Sequence, residues 1–176
     1  VVLFDYPGYG TSTGQPDPQT ILDNARATQD YVSRLSSTGG QKRVLYGFSL
    51  GGVVAAQLAS ARPVDGLILE ATAADVGSWA RSRVPWFAKP FVRVELDAAL
   101  ARIDNVQALK SFRGSVLVLA GGDDRRAPPA LSRDLAKRLR EEGVRVQLHE
   151  FAGASHGDIH KASTYRPTLD GFLAGL

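Results

Sequence analysis

Val44-Leu45-Tyr46-Gly47-Phe48-Ser49-Leu50-Gly51-Gly52 sets the architecture of this chain. An apolar run of strand length enters a Gly-x-Ser-x-Gly turn, and Val53-Val54-Ala55-Ala56-Gln57-Leu58-Ala59 leaves it as a helix. A serine in such a turn holds a strained backbone, and its neighbours must lack side chains. Gly47 and Gly51 meet that need. The turn raises the Ser49 hydroxyl at the carboxyl end of a sheet, the setting of a nucleophile. The backbone N–H of Leu50, at the helix N-terminus, is the candidate donor to a developing oxyanion. The bare pattern also arises by chance in a Gly-rich chain; the strand before and the helix after give it weight.

A serine needs a base and an acid that orients the base. Val116-Leu117-Val118-Leu119 reads as a buried strand, followed by Ala120-Gly121-Gly122-Asp123-Asp124 and then a helix opened by Pro128-Pro129. A carboxylate just past that strand shares the rim with Ser49. The last strand, residues 144–150, runs into Phe151-Ala152-Gly153-Ala154-Ser155-His156-Gly157-Asp158, a small-residue loop with a histidine. Asp124 and His156 are the candidate acid and base. Asp123 is the second candidate acid, because one residue of register decides which carboxylate faces the imidazole. Glu70, at the end of the strand after the Ser49 helix, is the third. His149 and His160 are rival bases, read as surface residues on an edge strand and at a helix start. A helix-capping role would explain an isolated aspartate, and an ordinary loop an isolated histidine. Neither explains both at strand ends, in the order Ser, Asp, His.

These residues resemble the α/β-hydrolase superfamily, and within it the bacterial serine hydrolases and esterases grouped with the abhydrolase-domain and prolyl-oligopeptidase-like proteins. Phe4-Asp5-Tyr6-Pro7-Gly8-Tyr9-Gly10-Thr11-Ser12 is similar to the loop after the fourth strand of that fold. Ser49 matches the nucleophile of the family and His156 its base. Asp124 stands four residues before Pro128, the place of the acid, with Ala127 where the family usually has Val. Asp158 resembles the polar residue that often follows the base. The resemblance implies a three-layer α/β/α sandwich with a mostly parallel sheet, and a serine hydrolase that cleaves carboxylic esters through an acyl-enzyme. It implies no cofactor and no metal. The partner it implies is a small-molecule ester or a similar acyl compound. Haloalkane and epoxide chemistry is disfavoured, since those hydrolases place Asp where Ser49 stands.

One departure stands out. Val1-Val2-Leu3-Phe4 matches the fourth strand of the fold, so the first three strands and the first helix have no counterpart in this sequence. The second oxyanion donor of the family comes from the loop after the third strand, often marked by His-Gly, and no such motif occurs here. Residues 1–4 must therefore pair directly with the Val44 strand or hang loose. The expectation is one partial domain over residues 1–176, a fragment of a longer protein. A hydrolase-like fragment or binding module without catalysis is the alternative reading; peptidase and thioesterase activity are variants of the first. Location stays open between the cytoplasm and a membrane-associated place in a bacterium.

Composition fits a globular domain: 44% apolar and 22% charged residues in a chain of 176, long enough to bury a core. The net charge of +3 comes from scattered arginines rather than a basic run, so nucleic acid is not an expected partner. The absence of Cys excludes disulfides, thiolate metal sites and cysteine nucleophiles. No apolar run reaches membrane-spanning length.

Alternation of strands and helices implies a parallel sheet covered on both faces. Asp17-Pro18 reads as an N-cap with Pro at the first helical position. Ile21, Ala25, Thr28, Val32 and Leu35 then give one buried helical face, with Gly39-Gly40 as its stop. Leu67-Ile68-Leu69 is an inner strand. Leu131, Leu135 and Leu139 share a stripe on a helix stopped at Gly143. Val144, Val146 and Leu148 alternate with polar residues, as on an edge strand. Leu169, Phe172, Leu173 and Leu176 suggest a closing helix after Pro167. Residues 73–113 fit neither period and read as a small lid insertion. Its aromatics, Trp79, Trp86, Phe87 and Phe91, are candidates to line an acyl pocket, with simple packing as the alternative for each.

Overall fold

The computed structural model of the protein describes residues 1–35 and 41–176. Gly39 and Gly40, read above as a helix stop, lie outside the described residues. The chain forms two compact units, Val1–Lys42 and Arg43–Leu176.

In the first unit, residues 1–5 form no strand, and Val1, Val2, Leu3 and Phe4 are exposed. Of the two expectations for them, pairing with the Val44 strand is not realised. A strand exists only where its N–H and C=O groups meet those of a partner, and no described residue pairs with this segment. The loop that follows closes on Asp5. Its Oδ2 accepts from the Thr11 N–H at 3.1 Å, and its carbonyl accepts from Ser12 Oγ at 2.8 Å. Gly10 has φ +53°, and a Cβ there would collide with the Asp5 carboxylate. Helix α1 (Pro18–Leu35) starts as expected: Asp17 Oδ1 accepts from the N–H groups of Gln19 and Thr20 at 2.9 and 3.0 Å. Its apolar face is less covered than the periodicity implied. Ala25 is buried, Ile21, Thr28 and Val32 are half-buried, and Leu35 is exposed.

The second unit is a parallel sheet with helices on both faces. Strand β1 (Val44–Phe48) leads into α2 (Leu50–Ala61), and β2 (Gly66–Glu70) follows. Helices α3 (Val76–Ser82), α4 (Ala98–Ala101) and α5 (Asn105–Leu109) separate it from β3 (Ser115–Gly121). Then come α6 (Pro129–Glu141), β4 (Arg145–Phe151), a 3-10 turn (Ile159–Lys161) and α7 (Tyr165–Ala174). The strand order is β1-β2-β3-β4, every pair parallel. The pleat splits the core in two. Leu67, Leu69, Val116 and Val118 meet α2, α5 and α6 residues such as Ala56, Leu109 and Leu135. Ile68, Leu117 and Leu119 face the other way, toward Phe151, Ile159 and Phe172. The three-layer α/β architecture is therefore present within this unit. Among the described residues no helix is long and apolar enough to cross a membrane.

β4 lies at the sheet edge, as its alternation implied, with Arg145, Gln147 and Glu150 exposed. α7 starts at Tyr165, two residues before Pro167, because proline is tolerated in a first turn, where N–H groups have no helical acceptor. Leu173 is exposed while Leu169, Phe172 and Leu176 join the core. The segment 73–113 is only partly an excursion. Ala73, Ala74, Asn105, Val106 and Leu109 are buried, and Asn105 ties the two ends together. Its Nδ2 donates to the Ala73 carbonyl and its backbone N–H to that of Ala74, both at 2.8 Å.

Candidate active site

Ser49 joins β1 to α2 with φ 53° and ψ −115°, outside the regions ordinary residues adopt. Ala71, at the end of the neighbouring strand, is the other non-glycine residue with positive φ among those described. Such strain collects at functional rims, where surrounding structure must impose it. Here the Ser49 N–H donates to the Glu70 carbonyl at 2.8 Å, and the Ser49 carbonyl accepts from the Gly52 N–H at 3.0 Å. A Cβ on Gly47 would collide with the Gly51 carbonyl, and one on Gly52 would meet the Thr72 side chain at 2.8 Å. The glycines thus let β1, α2 and β2 close around the serine. Leu50 opens α2, and an N–H in a first turn has no carbonyl four residues back to receive it.

Asp124 lies just beyond β3, and its side chain is fully buried. Its Oδ1 accepts from the N–H groups of Arg126 and Ala127, both at 2.8 Å. Its Oδ2 accepts from His156 Nδ1 at 2.7 Å. An ionised carboxylate only accepts, so with a neutral imidazole this contact places the ring proton on Nδ1 and leaves Nε2 as an acceptor. The His156 ring also packs on Phe48, the residue before Ser49, with 4.8 Å between centroids and 47° between planes. The loop carrying His156 is tied by Asp158, whose Oδ1 accepts from the Ser155 N–H at 2.5 Å. That amide holds the Asp158 carboxyl below the usual carboxylate range.

The rival residues are placed elsewhere. Asp123 is exposed. Glu70 is buried, and its Oε2 accepts from Tyr46 Oη at 2.7 Å and Tyr165 Oη at 2.9 Å. Burial, together with the carboxylate and the partner phenol, pushes the Tyr46 hydroxyl well above the ordinary phenol value. His149 is half-buried against Phe151, 4.4 Å between centroids, rather than fully on the surface. The planar ring covers apolar surface of its strand neighbour while its edge stays wet. His160 is exposed in the 3-10 turn rather than in an α-helix.

Trp86, Phe87 and Phe91 are 82%, 64% and 88% exposed. Trp86 and Phe87 meet edge to face, 6.0 Å apart. No ring contact among the described residues joins them to Phe48 or His156. Trp79 differs, since its indole Nε1–H donates to the Arg126 carbonyl at 3.1 Å, in the loop that shapes Asp124. Arg83, not singled out by the sequence, donates from Nη1 to the Arg125 carbonyl at 2.9 Å. Phe48 was likewise missed as a packing partner of His156. Its position next to the serine, on a strand end, was the available signal.

A parallel sheet with a strained serine after one strand and a hydrogen-bonded aspartate and histidine after two others has the design of an α/β hydrolase. The chain belongs to that family: the sequence profile of the alpha/beta hydrolase family matches residues 1–166. It is 34% identical over 158 residues to an uncharacterized protein of Mycobacterium tuberculosis, covering 90% of this chain and 53% of that protein. Its fold is similar to that of a monoacylglycerol lipase from Paleococcus ferrophilus, with TM-score 0.63, 21% identity, and coverage of 97% of this chain and 82% of the other. It is also similar to an acylaminoacyl peptidase from Pyrococcus horikoshii, with TM-score 0.64, 16% identity, and coverage of 84% and 25%. At these identities the two structures speak for the fold alone. The chain spans about half the length of the curated relatives it matches.

Proposed function

We propose that this chain carries the reacting groups of a serine hydrolase that cleaves carboxylic esters. Ser49 is the nucleophile, His156 the base and Asp124 the acid. The observation that carries the reading is the 2.7 Å bond from His156 Nδ1 to Asp124 on an imidazole packed against the residue before Ser49. His156 Nε2 takes the hydroxyl proton as Ser49 Oγ attacks the acyl carbon. Asp124 keeps the tautomer and stabilises the imidazolium. The carbonyl oxygen gains the negative charge, and the Leu50 N–H at the start of α2 donates to it. The tetrahedral adduct collapses, and His156 returns the proton to the departing alcohol. Water, deprotonated by the same imidazole, then releases the acid from the serine. Esters come first as substrates because an alcohol departs more readily than an amine.

Fluorophosphonate labelling read by intact mass tests this. One adduct on the full chain, absent from Ser49→Ala, is the expected result. No adduct, or an equal adduct on Ser49→Ala, would remove the reading.

A further inference from the structure

We infer that α3 holds the acid of this site in place, with Trp79 and Arg83 as positioning residues for Asp124. The argument lies in two consecutive peptide units. The Arg125 carbonyl and the Arg126 N–H belong to one unit, and the Arg126 carbonyl and the Ala127 N–H to the next. Both N–H groups point inward and donate to Asp124 Oδ1, at 2.8 Å each. Both carbonyls point outward and accept from side chains of α3 and of Arg83, which caps its C-terminus. Arg83 Nη1 reaches the first at 2.9 Å and Trp79 Nε1 the second at 3.1 Å. Each peptide plane is thus gripped at both ends, by the acid on one side and by α3 on the other.

Two consequences follow from hydrogen-bond physics. A donor on a carbonyl polarises the whole amide, so the N–H at its other end becomes a stronger donor. The cation of Arg83 acts most in this sense, because charge-assisted bonds are the stronger ones. The grip also fixes the rotation of both planes and so the direction of Oδ2 toward His156.

The platform is itself anchored. α3 begins in a capping box, with Asp75 Oδ1 accepting from the Ser78 N–H at 2.6 Å. Arg138 on α6 donates to Asp75 at 3.0 Å and to Asp104, the cap of α5, at 3.4 Å. A helix fixed at its start can hold a loop from a residue one turn later. The two residues whose carbonyls are held, Arg125 and Arg126, are exposed, between buried Asp124 and Ala127.

The kinetic half of this inference rests on the serine-hydrolase reading; the spectroscopic half does not. The probe is the His156 Nδ1 proton in the ¹⁵N-labelled full chain, which a short bond to a carboxylate shifts far downfield and protects from exchange. Trp79→Phe keeps the ring and removes one N–H; Arg83→Met keeps the stem and removes the guanidinium. Each variant is expected to weaken or shift that resonance. Each should also lower kcat on a p-nitrophenyl ester about fivefold, with KM within about twofold. Arg83→Lys, which keeps a cationic donor, is expected to recover part of both. Trp79→Phe alone decides the matter should Arg83→Met not fold. A folded variant with an unchanged resonance overturns the inference, including one in which KM alone rises, which marks a pocket wall. A resonance lost in the variants, with no Ser49 adduct in the unmodified chain, upholds the inference and removes the hydrolase reading.

Discussion

The imidazole of His156 rests on the ring of Phe48, 4.8 Å between centroids, although 107 residues of chain separate them. Phe48 ends β1 and passes directly into Ser49. His156 therefore packs on the strand that leads into Ser49, while its Nδ1 is held by Asp124. One contact limits where the ring lies and the other how it turns.

Phe48→Ala should thus loosen the base without touching its acid. The expected loss is about tenfold in kcat, with a smaller change in KM, and Phe48→Tyr should recover most of it. Ester hydrolysis by the three chains, measured side by side, checks this. An alanine variant as active as the unmodified chain would show that the stacking is incidental.

The two adjacent carboxylates should separate cleanly. Asp124→Asn is expected to lower kcat by about 10³ to 10⁴, because the amide presents a donor where the imidazole N–H needs an acceptor. Asp123→Asn, at an exposed position, should stay within about twofold. Equal losses would mean that the loop changes register on substrate binding.

Gly47→Ala tests the elbow. The added Cβ meets the Gly51 carbonyl with no flexible side chain to yield, so α2 must shift away from β1. The expected outcome is a lower melting temperature together with slower Ser49 labelling. Stability and labelling both unchanged would mean that the turn relaxes without strain.

Asn105 is fully buried and ties residues 73 and 74 to the start of α5 through two hydrogen bonds. Asn105→Ala leaves the Ala73 carbonyl without its donor and should destabilise the fold by about 1–3 kcal/mol. Urea unfolding measures it, and a change under about 0.5 kcal/mol would show that water replaces the amide.

Acid should release α3 and the His156 loop. Burial pushes the Asp75 carboxyl up, but the Ser78 amide and the Arg138 guanidinium overcome it and hold it below the usual range. The Ser155 amide does the same for Asp158. A carboxyl whose folded value lies below its unfolded value of about 3.9 contributes stability in full above that value. That contribution is lost as pH falls through the folded value. Melting temperature should therefore drop below about pH 4, and less steeply in Asp75→Asn and Asp158→Asn, which start lower at pH 7. Variants with the acid slope of the unmodified chain would exclude these two carboxyls as its cause.

Much of this was legible in the residues themselves. Gly47 and Gly51 around Ser49, Asp17 before Pro18, the leucine stripe on α6 and the alternation of β4 all act over a few residues. Backbone strain, capping and burial periodicity are local, so spacing reveals them. Residues 1–4 show the limit of such reasoning. Their β-prone side chains suit a strand, yet without a paired neighbour they form none.

The contacts at the rim form at longer range. Sequence alone specified a serine elbow and two strand-end loops carrying carboxylates and a histidine. It put Asp124 ahead of Asp123 as the acid, with one residue of register between them, and it offered Trp79 as pocket lining or simple packing. Only the folded chain showed Asp124 against His156, set Phe48 against the same ring, and brought Trp79 and Arg83 to peptide units 47 and 42 residues further on. The reason is physical: a hydrogen bond or ring contact depends on where separate strands end in space, and no spacing along the chain encodes that position.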